Sequence, residues 1–338
     1  MWWNPLVSPL LHQRFPGVAD SLAHVQLGTG PTPVRRLDAL GLTNEVWLKD
    51  ESVFGNGGWG GNKVRKLEWI IPEAHRRKQK TLFTVGGIGT HWGLAAALYG
   101  REHGIRTVLG LIDQPVDDHV RDQLRRLQAS GAEIHRFRSK RRLIASVPWI
   151  LARHSSWGRL PYYQPAGGSS PIGALGYVDT AFEIAAQVAA GDLPEPATIV
   201  TAVGSGGTAA GLALGLRLAG LNTRVFGVVV NDSLTLDAPT IAELANRTER
   251  LLRERGAVFD PVRITPEEVT MRDDWLGETY GATTPAGVDA ERLAAEAEGL
   301  TLEPVYTAKA LAAIRELDSN LPGPVLYLNT HGPRSRIA

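Results

Sequence analysis

The chain of 338 residues carries 36 Lys and Arg against 35 Asp and Glu, so its formal net charge at pH 7 is only +1. This balance argues against nucleic acid or a membrane surface as a partner. The absence of Cys excludes disulfides, zinc–thiolate sites and iron–sulfur clusters, and we expect no metal site. The sequence has no apolar run of about 18 residues, and residues 1–5 lack the basic start of a secretory leader, which predicts a cytoplasmic protein.

A single hydrophobic core stops growing beyond roughly 250 to 300 residues, so we expect two domains. From residue 45 onward, short apolar runs alternate with amphipathic stretches, as is typical of parallel strands joined by helices. The fold class is therefore α/β, with a first lobe that ends before the loop 165–173 and a second lobe after it. The predicted elements, in chain order, are strands 81–85, 105–112, 133–137, 197–203, 224–230 and 324–328, helices 92–103, 119–130 and 176–190, and a solvated, largely helical surface at 231–275.

The segment Gly57-Gly-Trp-Gly-Gly-Asn-Lys-Val-Arg-Lys-Leu-Glu68 is a glycine run that leads into a basic helix start. Its Lys63, Arg65 and Lys66 could be ordinary charges on a solvated helix surface. The glycines could instead let the backbone at Lys63 approach a planar ligand. An enclosed lysine can have its pKa lowered by roughly 3 to 5 units, which suits Schiff-base chemistry.

A second glycine motif, Gly204-Ser-Gly-Gly-Thr208, lies between an apolar strand and a helix pattern. Glycines let backbone N–H groups face a ligand, and the helix N-terminus adds about half a positive charge, so the motif suits a phosphate. A tight turn without a ligand is one alternative. A dinucleotide site is another, because Gly204-x-Gly206-x-x-Ala209 fits a relaxed fingerprint, although Asp232 lies 28 residues after Gly204 where about 20 are usual. A phosphate loop together with an enclosed lysine predicts pyridoxal 5'-phosphate, an aldehyde with a phosphate tail.

The segment Gly60-Gly-Asn-Lys-Val-Arg-Lys-Leu-Glu68 resembles the Schiff-base lysine motif of the 1-aminocyclopropane-1-carboxylate deaminase and D-cysteine desulfhydrase family. This family has the tryptophan-synthase-β-like fold, fold type II of the pyridoxal phosphate enzymes. The resemblance covers most of the chain through further motifs: Gly30-Pro-Thr-Pro33, Leu48-Lys-Asp-Glu51, Val85-Gly-Gly-Ile88, Ala166-Gly-Gly-Ser169, Gly173-Ala-Leu-Gly176, residues 204–211, and Glu303-Pro-Val-Tyr-Thr-Ala-Lys309.

This resemblance implies two lobes, each an open, mostly parallel twisted sheet flanked by helices. We expect residues 1–65 and 173–338 to form a large cofactor-binding domain and residues 66–172 a smaller α/β domain, with the active site in the cleft between them. A small amino acid is the expected substrate, and a homodimer the expected assembly. The family pattern gives the catalytic residues as Lys63, Thr90, Tyr280 and Tyr306, and the cofactor-binding residues as Asn62, Lys63, His91, Gly204, Ser205, Gly206, Gly207, Thr208 and Thr307.

Two triplets depart from the family pattern. Where the family usually has Gln-Ser-Asn, this chain has Gly89-Thr90-His91, and the family's Thr-Gly-Gly becomes Thr330-His331-Gly332. Both histidines could be loop residues without a chemical role. We favour that interpretation for His331 and a functional one for His91, because an imidazole can transfer protons near pH 7.

Thr307 decides the expected chemistry. In the deaminase the matching position, near the pyridine nitrogen, is acidic and keeps that nitrogen protonated. A hydroxyl cannot supply this charge, so prompt loss of a β-substituent is favoured. We therefore predict a pyridoxal-phosphate-dependent lyase similar to D-cysteine desulfhydrase, which gives a 2-oxo acid and ammonia. The alternatives are cyclopropane ring opening, a catalytically altered relative that only binds the cofactor, and a nicotinamide-dependent reductase.

Overall fold

The computed structural model describes residues 8–332 except Pro115, Asp117, Trp157 and the side chain of His119. Residues 1–5, where no leader is expected, lie outside the described part. In chain order the strands are β1 Val34–Arg36, β2 Val46–Asp50, β3 Gly60–Gly61, β4 Thr81–Gly87, β5 Arg106–Ile112, β6 Glu133–Phe137, β7 Tyr162–Gln164, β8 Thr198–Val203, β9 Arg224–Val229, β10 Val269–Arg272, β11 Val325–Asn329 and β12 His331–Gly332.

The helices of the described chain flank these strands. In chain order they are α1 Leu10–Arg14, α2 Asn62–Arg76, α3 His91–Glu102, α4 Asp118–Ala129, α5 Lys140–Arg153, α6 Pro171–Ala190, α7 Gly207–Ala219, α8 Ala238–Glu254, α9 Pro285–Glu298 and α10 Thr307–Leu317. None of these helices, within the described residues, combines the length and apolar character needed to cross a bilayer.

The larger sheet has the strand order β1-β2-β11-β8-β9-β10. Its neighbours pair in parallel except for β1 and β2, which are antiparallel. Every residue of the central strand β8 is buried, as expected for a parallel strand covered by helices on both faces. The smaller sheet, β6-β5-β4-β7, is parallel throughout and is built from residues 81–164. The predicted architecture of two mostly parallel sheets is confirmed.

Local sequence signals explain where several helices begin and end. The α6 helix starts at Pro171, and the Ser170 hydroxyl caps it by accepting a hydrogen bond from the Gly173 N–H at 3.2 Å. It ends at Gly191, whose φ of 81° is left-handed. The start of this helix was predicted five residues too late, at residue 176, because the glycines of its first turns resemble a loop. These glycines allow close helix packing, since a Cβ on Gly176 would lie 2.3 Å from the Arg65 carbonyl oxygen.

Some predicted elements were incomplete. The short strands β1, β2, β7 and β10 were missed, because three to five residues give little periodic signal. Of residues 231–275 only 238–254 form an α-helix, and the last part enters the larger sheet as β10. The predicted domain boundaries at 65/66 and 172/173 fall inside α2 and α6, so each of these helices spans a boundary. The division into domains stays a prediction.

Candidate active site

A cavity of about 1230 Å³ lies where the carboxyl ends of strands from both sheets converge. The smaller sheet contributes residues 85–87 from the end of β4, and the larger sheet contributes residues 202–204 from the end of β8. Ligands of open α/β sheets bind at such strand ends. The predicted site residues that line the cavity are Asn62, Lys63, Thr90, His91, Gly204, Ser205, Gly206, Thr208, Tyr280 and Tyr306.

Lys63 enters this cavity from the first turn of α2. The preceding Gly61 has a φ of 86°, and a Cβ there would lie 2.5 Å from the Thr330 carbonyl oxygen, so only glycine fits. This close approach is the β3–β12 pairing, in which His331 is opposite Gly61. Burial lowers the pKa of the Lys63 amine from 10.5 to about 8. The enclosed position supports the Schiff-base interpretation of this lysine, which stays a prediction.

The glycine loop 204–208 forms the turn from β8 into α7. Gly206 has a left-handed φ of 89°, and the Gly207 N–H donates to Ser169 Oγ at 2.9 Å. Ser169 Oγ in turn donates to Ser205 Oγ at 2.8 Å. Asn62 Nδ2 donates to Thr208 Oγ1 at 3.2 Å and so fixes the start of α2 against this loop. The two glycine motifs, about 140 residues apart in sequence, therefore meet at one place.

Lys66 is a residue whose position the sequence analysis did not resolve. It is fully buried, and its Nζ donates to the Gly167 carbonyl oxygen at 3.0 Å. A Cβ on Gly207 would lie only 2.9 Å from that nitrogen, so Lys66 lies directly beside the glycine loop. Burial, and then the charge of Lys63, lower the pKa of Lys66 well below 10.5. A phosphate dianion bound at this helix N-terminus would oppose that lowering and favour the charged form of Lys66. The loop and the two lysines therefore fit pyridoxal phosphate.

Two tyrosines lie against each other across the cavity wall. The hydroxyls of Tyr280 and Tyr306 share a short hydrogen bond. The Tyr306 ring packs on Gly204, where a Cβ would lie 2.9 Å from Cε1. Burial raises the pKa of both phenols, so both hydroxyls stay protonated near neutral pH and can donate hydrogen bonds.

The two histidines of the departing triplets come together in the cavity. The His91 and His331 ring centroids are 4.8 Å apart, and the Trp59 ring lies within 5.2 Å of His91 and 6.0 Å of His331. Tyr306 is 6.0 Å from His91. His331 therefore lies beside His91 in the cavity wall, and the interpretation of His331 as a loop residue without a chemical role stays a prediction.

Thr90 has a structural contact that the sequence did not reveal. Its side-chain oxygen accepts a hydrogen bond from the Gly93 N–H at 3.1 Å and caps α3. Trp92, next to the departing triplet, is buried and donates from Nε1 to Thr84 Oγ1 at 2.8 Å. The predicted catalytic role of Thr90 stays a prediction.

Thr307 and Gly207 are the predicted site residues that do not line the cavity. Thr307 is fully buried in the first turn of α10, where its Oγ1 accepts from the Glu303 N–H at 2.9 Å. The Glu303 carboxylate accepts the N–H groups of Val305 and Tyr306 at 3.0 and 2.8 Å. Burial, opposed by these N–H groups, raises the pKa of Glu303 to about 7. This turn holds Tyr306 in place, and contact between Thr307 and the cofactor stays a prediction.

Gln114 is another cavity residue that the sequence analysis missed. It follows β5, and a Cβ on Gly87 would lie 2.0 Å from its Oε1. The Gly89 N–H donates to Gln114 Oε1 at 3.4 Å. Gly89 lacks the side-chain amide that the family pattern has at this position, and Gln114 supplies an amide in the adjacent space. A distant glutamine has no sequence signal that would connect it with residue 89.

The dinucleotide interpretation finds no support at the end of β9. The residue there is Asn231, whose Nδ2 donates to the Gly204 carbonyl oxygen at 2.8 Å. Asp232 is exposed and accepts from the Tyr280 N–H at 3.1 Å. Asp232, the acidic residue that would bind a ribose hydroxyl, thus accepts a hydrogen bond from the Tyr280 backbone instead.

Comparisons with known proteins agree with this geometry. The family described as "Pyridoxal-phosphate dependent enzyme" matches residues 25–330. D-cysteine desulfhydrases from Salmonella choleraesuis (strain SC-B67) and Salmonella paratyphi C (strain RKS4594) are 32% and 31% identical over 337 residues, covering 96% of this chain and 96% of each relative.

Solved structures give the same result. A homologue of 1-aminocyclopropane-1-carboxylate (ACC) deaminase superposes with a TM-score of 0.78 at 26% identity, covering 96% of this chain and 95% of that chain. The threonine deaminase of T.th., with a TM-score of 0.64 at 20% identity over 96% of this chain and 98% of its own, shares the fold. The predicted family, fold class, cofactor and lyase class are confirmed, and the chain belongs to the pyridoxal-phosphate dependent enzymes.

Proposed function

We propose that this lyase eliminates the β-substituent of a small amino acid, with D-cysteine as the substrate to test first. The observation that carries the proposal is the pairing of Lys63, an amine whose pKa burial lowers to about 8, with the buried Lys66 beside the glycine loop. The desulfhydrases that match 96% of the chain support D-cysteine in particular.

The chain's own residues would hold the cofactor at two points. Lys63 Nζ would bind its aldehyde, while Lys66 and the backbone of residues 204–208 would hold its phosphate. When bound, pyridoxal phosphate supplies an aldehyde that condenses with amines and a ring that stabilises negative charge at the substrate Cα. We expect Tyr306, packed on Gly204, to limit how far the substrate can move above the loop.

Lys63 Nζ is also the proposed base. With cofactor and substrate bound, the neutral Lys63 amine would accept the substrate Cα proton. Loss of that proton would let the Cβ–S bond of D-cysteine break, and the sulfur would leave with the bonding electron pair as sulfide. The Tyr280–Tyr306 pair, with both phenols neutral, can donate a hydrogen bond to the substrate carboxylate or to the departing sulfur. Water completes the balance and gives one 2-oxo acid and one ammonia per sulfide.

The test is a substrate panel on the purified holoenzyme: D-cysteine, L-cysteine and 1-aminocyclopropane-1-carboxylate, with sulfide, 2-oxo acid and ammonia measured in parallel. We expect D-cysteine to give the three products in equal amounts and the highest kcat/KM. Lys63→Ala should lose turnover, by at least about 10³-fold, whereas Lys80→Ala, an exposed lysine, should not. Turnover of the cyclopropane substrate alone would establish ring opening instead. No turnover of any substrate by a cofactor-loaded sample would support a relative that only binds the cofactor.

We further propose that each chain has the two predicted domains. Two such chains would form a homodimer, located in the cytoplasm. The family resemblance supports the assembly, and the separation of the two sheets at residues 81–164 supports the domain division. Light scattering coupled to size-exclusion chromatography tests the dimer directly. A mass near 36.5 kDa, that of one chain, would contradict it.

A further inference from the structure

A cluster of metal-binding side chains lies at the edge of the smaller sheet, outside the cavity. Glu133 and His135 are two residues apart on the edge strand β6 and so share one face of the sheet. His154 directly follows α5, whose C-terminal end packs near this strand. The family motifs described above include none of these three residues.

The donor atoms of the cluster face one another. His135 Nε2 and His154 Nε2 are 2.8 Å apart, and Glu133 Oε1 is 3.9 Å from His135 Nε2. Glu133 Oε2 is 3.4 Å from His154 Nδ1. One ligand atom from each residue lies within 4.8 Å of the others. The two Nε2 atoms in contact can share only one proton, so one of them must present a lone pair.

We propose that Glu133, His135 and His154 bind a divalent transition-metal ion, with Zn²⁺ as the preferred ion. Two imidazoles and a carboxylate with an open fourth position form a donor set that suits zinc. Zn–N distances of about 2.0–2.1 Å in a tetrahedron place ligand atoms about 3.3 Å apart. The observed separations of 2.8 and 3.9 Å lie on either side of that value, and the three ligand atoms lie within 4.8 Å of one another, so shifts of up to about 1.5 Å bring them to one ion.

The two histidines are enclosed, whereas the carboxylate faces solvent. The His154 and His135 side chains are 4% and 16% exposed. Glu133, at 47% exposed, leaves the fourth position open to water.

Two nearby arginines lower the affinity that we expect for the metal ion. Arg153 Nε lies 3.9 Å from Glu133 Oε1, and Arg106 also contributes positive charge at His154. The Arg153 side chain is 57% exposed, so it can move away when an ion binds. A bound ion would tie β6 to the end of α5, the helix whose Leu143, Ile144 and Val147 line the cavity. The ion would therefore stabilise the smaller sheet and one wall of the cleft.

The test is Zn²⁺ binding to the holoenzyme, measured by competition with a chromophoric chelator. We expect the wild type to bind one Zn²⁺ at the cluster. His135→Ala and His154→Ala each remove a ligand and should bind it at least about 10- to 100-fold more weakly, the loss that substitution of an outer-shell partner already causes. Arg153→Ala should bind several-fold more tightly, because it removes the competing cation. The matched control is His75→Ala, an exposed histidine on α2, which should bind like the wild type.

Glu133→Gln keeps the test decisive if the histidine variants do not fold, because residue 133 is half exposed and its substitution leaves the sheet intact. Cofactor content confirms the fold of each variant. Unchanged Zn²⁺ stoichiometry and affinity in Glu133→Gln and Arg153→Ala, or no uptake by the wild type, would overturn the proposal. Because the cluster lies outside the cavity, loss of zinc binding with intact turnover would not affect the proposed lyase reaction.

Discussion

At the level of single residues, Lys63 and Lys66 lie only three residues apart in the chain but have different surroundings. Both belong to one turn of α2 and both line the cavity. Lys66 Nζ donates to the Gly167 carbonyl oxygen beside the glycine loop. Lys63, at the start of the helix, is buried without such a bond among the described contacts, and its pKa falls to about 8. Burial lowers the pKa of both amines, so their contacts, rather than their pKa values, distinguish the amine proposed to react from the amine proposed to bind an anion.

The lowered pKa of Lys63 predicts how cofactor-free enzyme takes up pyridoxal phosphate. Burial disfavours the charged amine, so the neutral, reactive fraction is roughly a tenth at pH 7 and the majority above pH 8. We expect the rate of covalent uptake to rise about tenfold from pH 6 to pH 7 and to level off above pH 8. Stopped-flow absorbance measures the rate, and borohydride reduction with peptide mapping locates the label. A rate that keeps rising through pH 10, or label on Lys66, would contradict this assignment.

The paired histidines give the second prediction. If His91 contacts the bound substrate or cofactor, its ring takes part in selecting the substrate. His91→Asn, the residue of the family pattern, should change the ratio of kcat/KM for D-cysteine to kcat/KM for 1-aminocyclopropane-1-carboxylate. His331→Gly is the matched comparison, since it restores the family residue at the neighbouring ring 4.8 Å away. If both variants keep the wild-type ratio, neither imidazole takes part, and Gln114 becomes the residue to test.

Among the secondary-structure elements, the glycine loop and the N-terminus of α7 act together. The strand β8 leads into α7 through left-handed Gly206. This turn brings the backbone N–H groups of the loop to the positive end of the helix. A Cβ on Gly206 would also lie 2.7 Å from Ile241 Cδ1. The other end of the helix has a glycine of nearly the same conformation, Gly220, with a φ of 79° and open space around it.

This symmetry supplies a matched pair of substitutions. Gly206→Asp and Gly220→Asp impose similar backbone strain. Only the first adds a contact with Ile241 and a carboxylate beside the expected phosphate, so Gly206→Asn serves as the control for the contact without the charge. We expect Gly206→Asp to weaken pyridoxal phosphate binding by at least about 100-fold, through charge repulsion at the helix N-terminus. Gly220→Asp should lose stability while keeping affinity. Fluorescence titration with the cofactor measures both, and equal affinities would mean that the phosphate binds elsewhere.

Across the molecule as a whole, a buried ion network joins distant motifs. Arg65 of α2 makes paired hydrogen bonds to Glu51 at 2.8 and 2.9 Å and to Glu183 of α6 at 2.9 and 3.1 Å. Lys49 Nζ donates to Glu183 at 2.6 Å. These side chains are almost completely buried. The motifs Leu48-Lys-Asp-Glu51 and Asn62-Lys-Val-Arg65 therefore serve the packing of the helix that carries Lys63 as well as the site itself.

Removing one anion from this network predicts a large loss of stability. Glu183→Gln leaves Lys49 and Arg65 buried with only Glu51, so we expect a loss of about 3–5 kcal/mol at pH 7. Burial alone would raise the pKa of Glu183, but Arg65 and Lys49 lower it well below its ordinary value. Its contribution is therefore present above about pH 4.5 and is lost as the pH falls toward the lowered value.

Urea unfolding at several pH values checks this prediction, and the difference between wild type and Glu183→Gln should shrink below about pH 4.5. Glu243→Gln is the control: its ion pair with Arg250 is exposed, so it should cost less than about 1 kcal/mol at any pH. A pH-independent difference for Glu183→Gln would show that the carboxylate charge is not what stabilises the fold.

The fold class, the family, the cofactor and the two glycine motifs could all be predicted from the amino-acid sequence. Strands such as β4, β5 and β8 and helices such as α4 carry long apolar patterns, and glycine beside lysine or before a helix has few structural uses. These signals are local, because burial of one face and the freedom of glycine act on consecutive residues. The short strands β1, β7 and β10 were not predictable, since pairing with a neighbouring strand, rather than their own residues, makes them strands.

Which side chains meet depends on the folded chain and could not be predicted in this way. Folding placed Lys66 beside a glycine loop some 140 residues away, His331 beside His91, and Gln114 next to Gly89. In the folded chain the Thr307 hydroxyl accepts a hydrogen bond from the Glu303 N–H, and Thr307 does not line the cavity. The physical reason is that hydrogen bonds and charges act over a few ångströms in space. The pairing of β3 with β12 and the convergence of two sheets create those short distances, and no spacing along the chain encodes them.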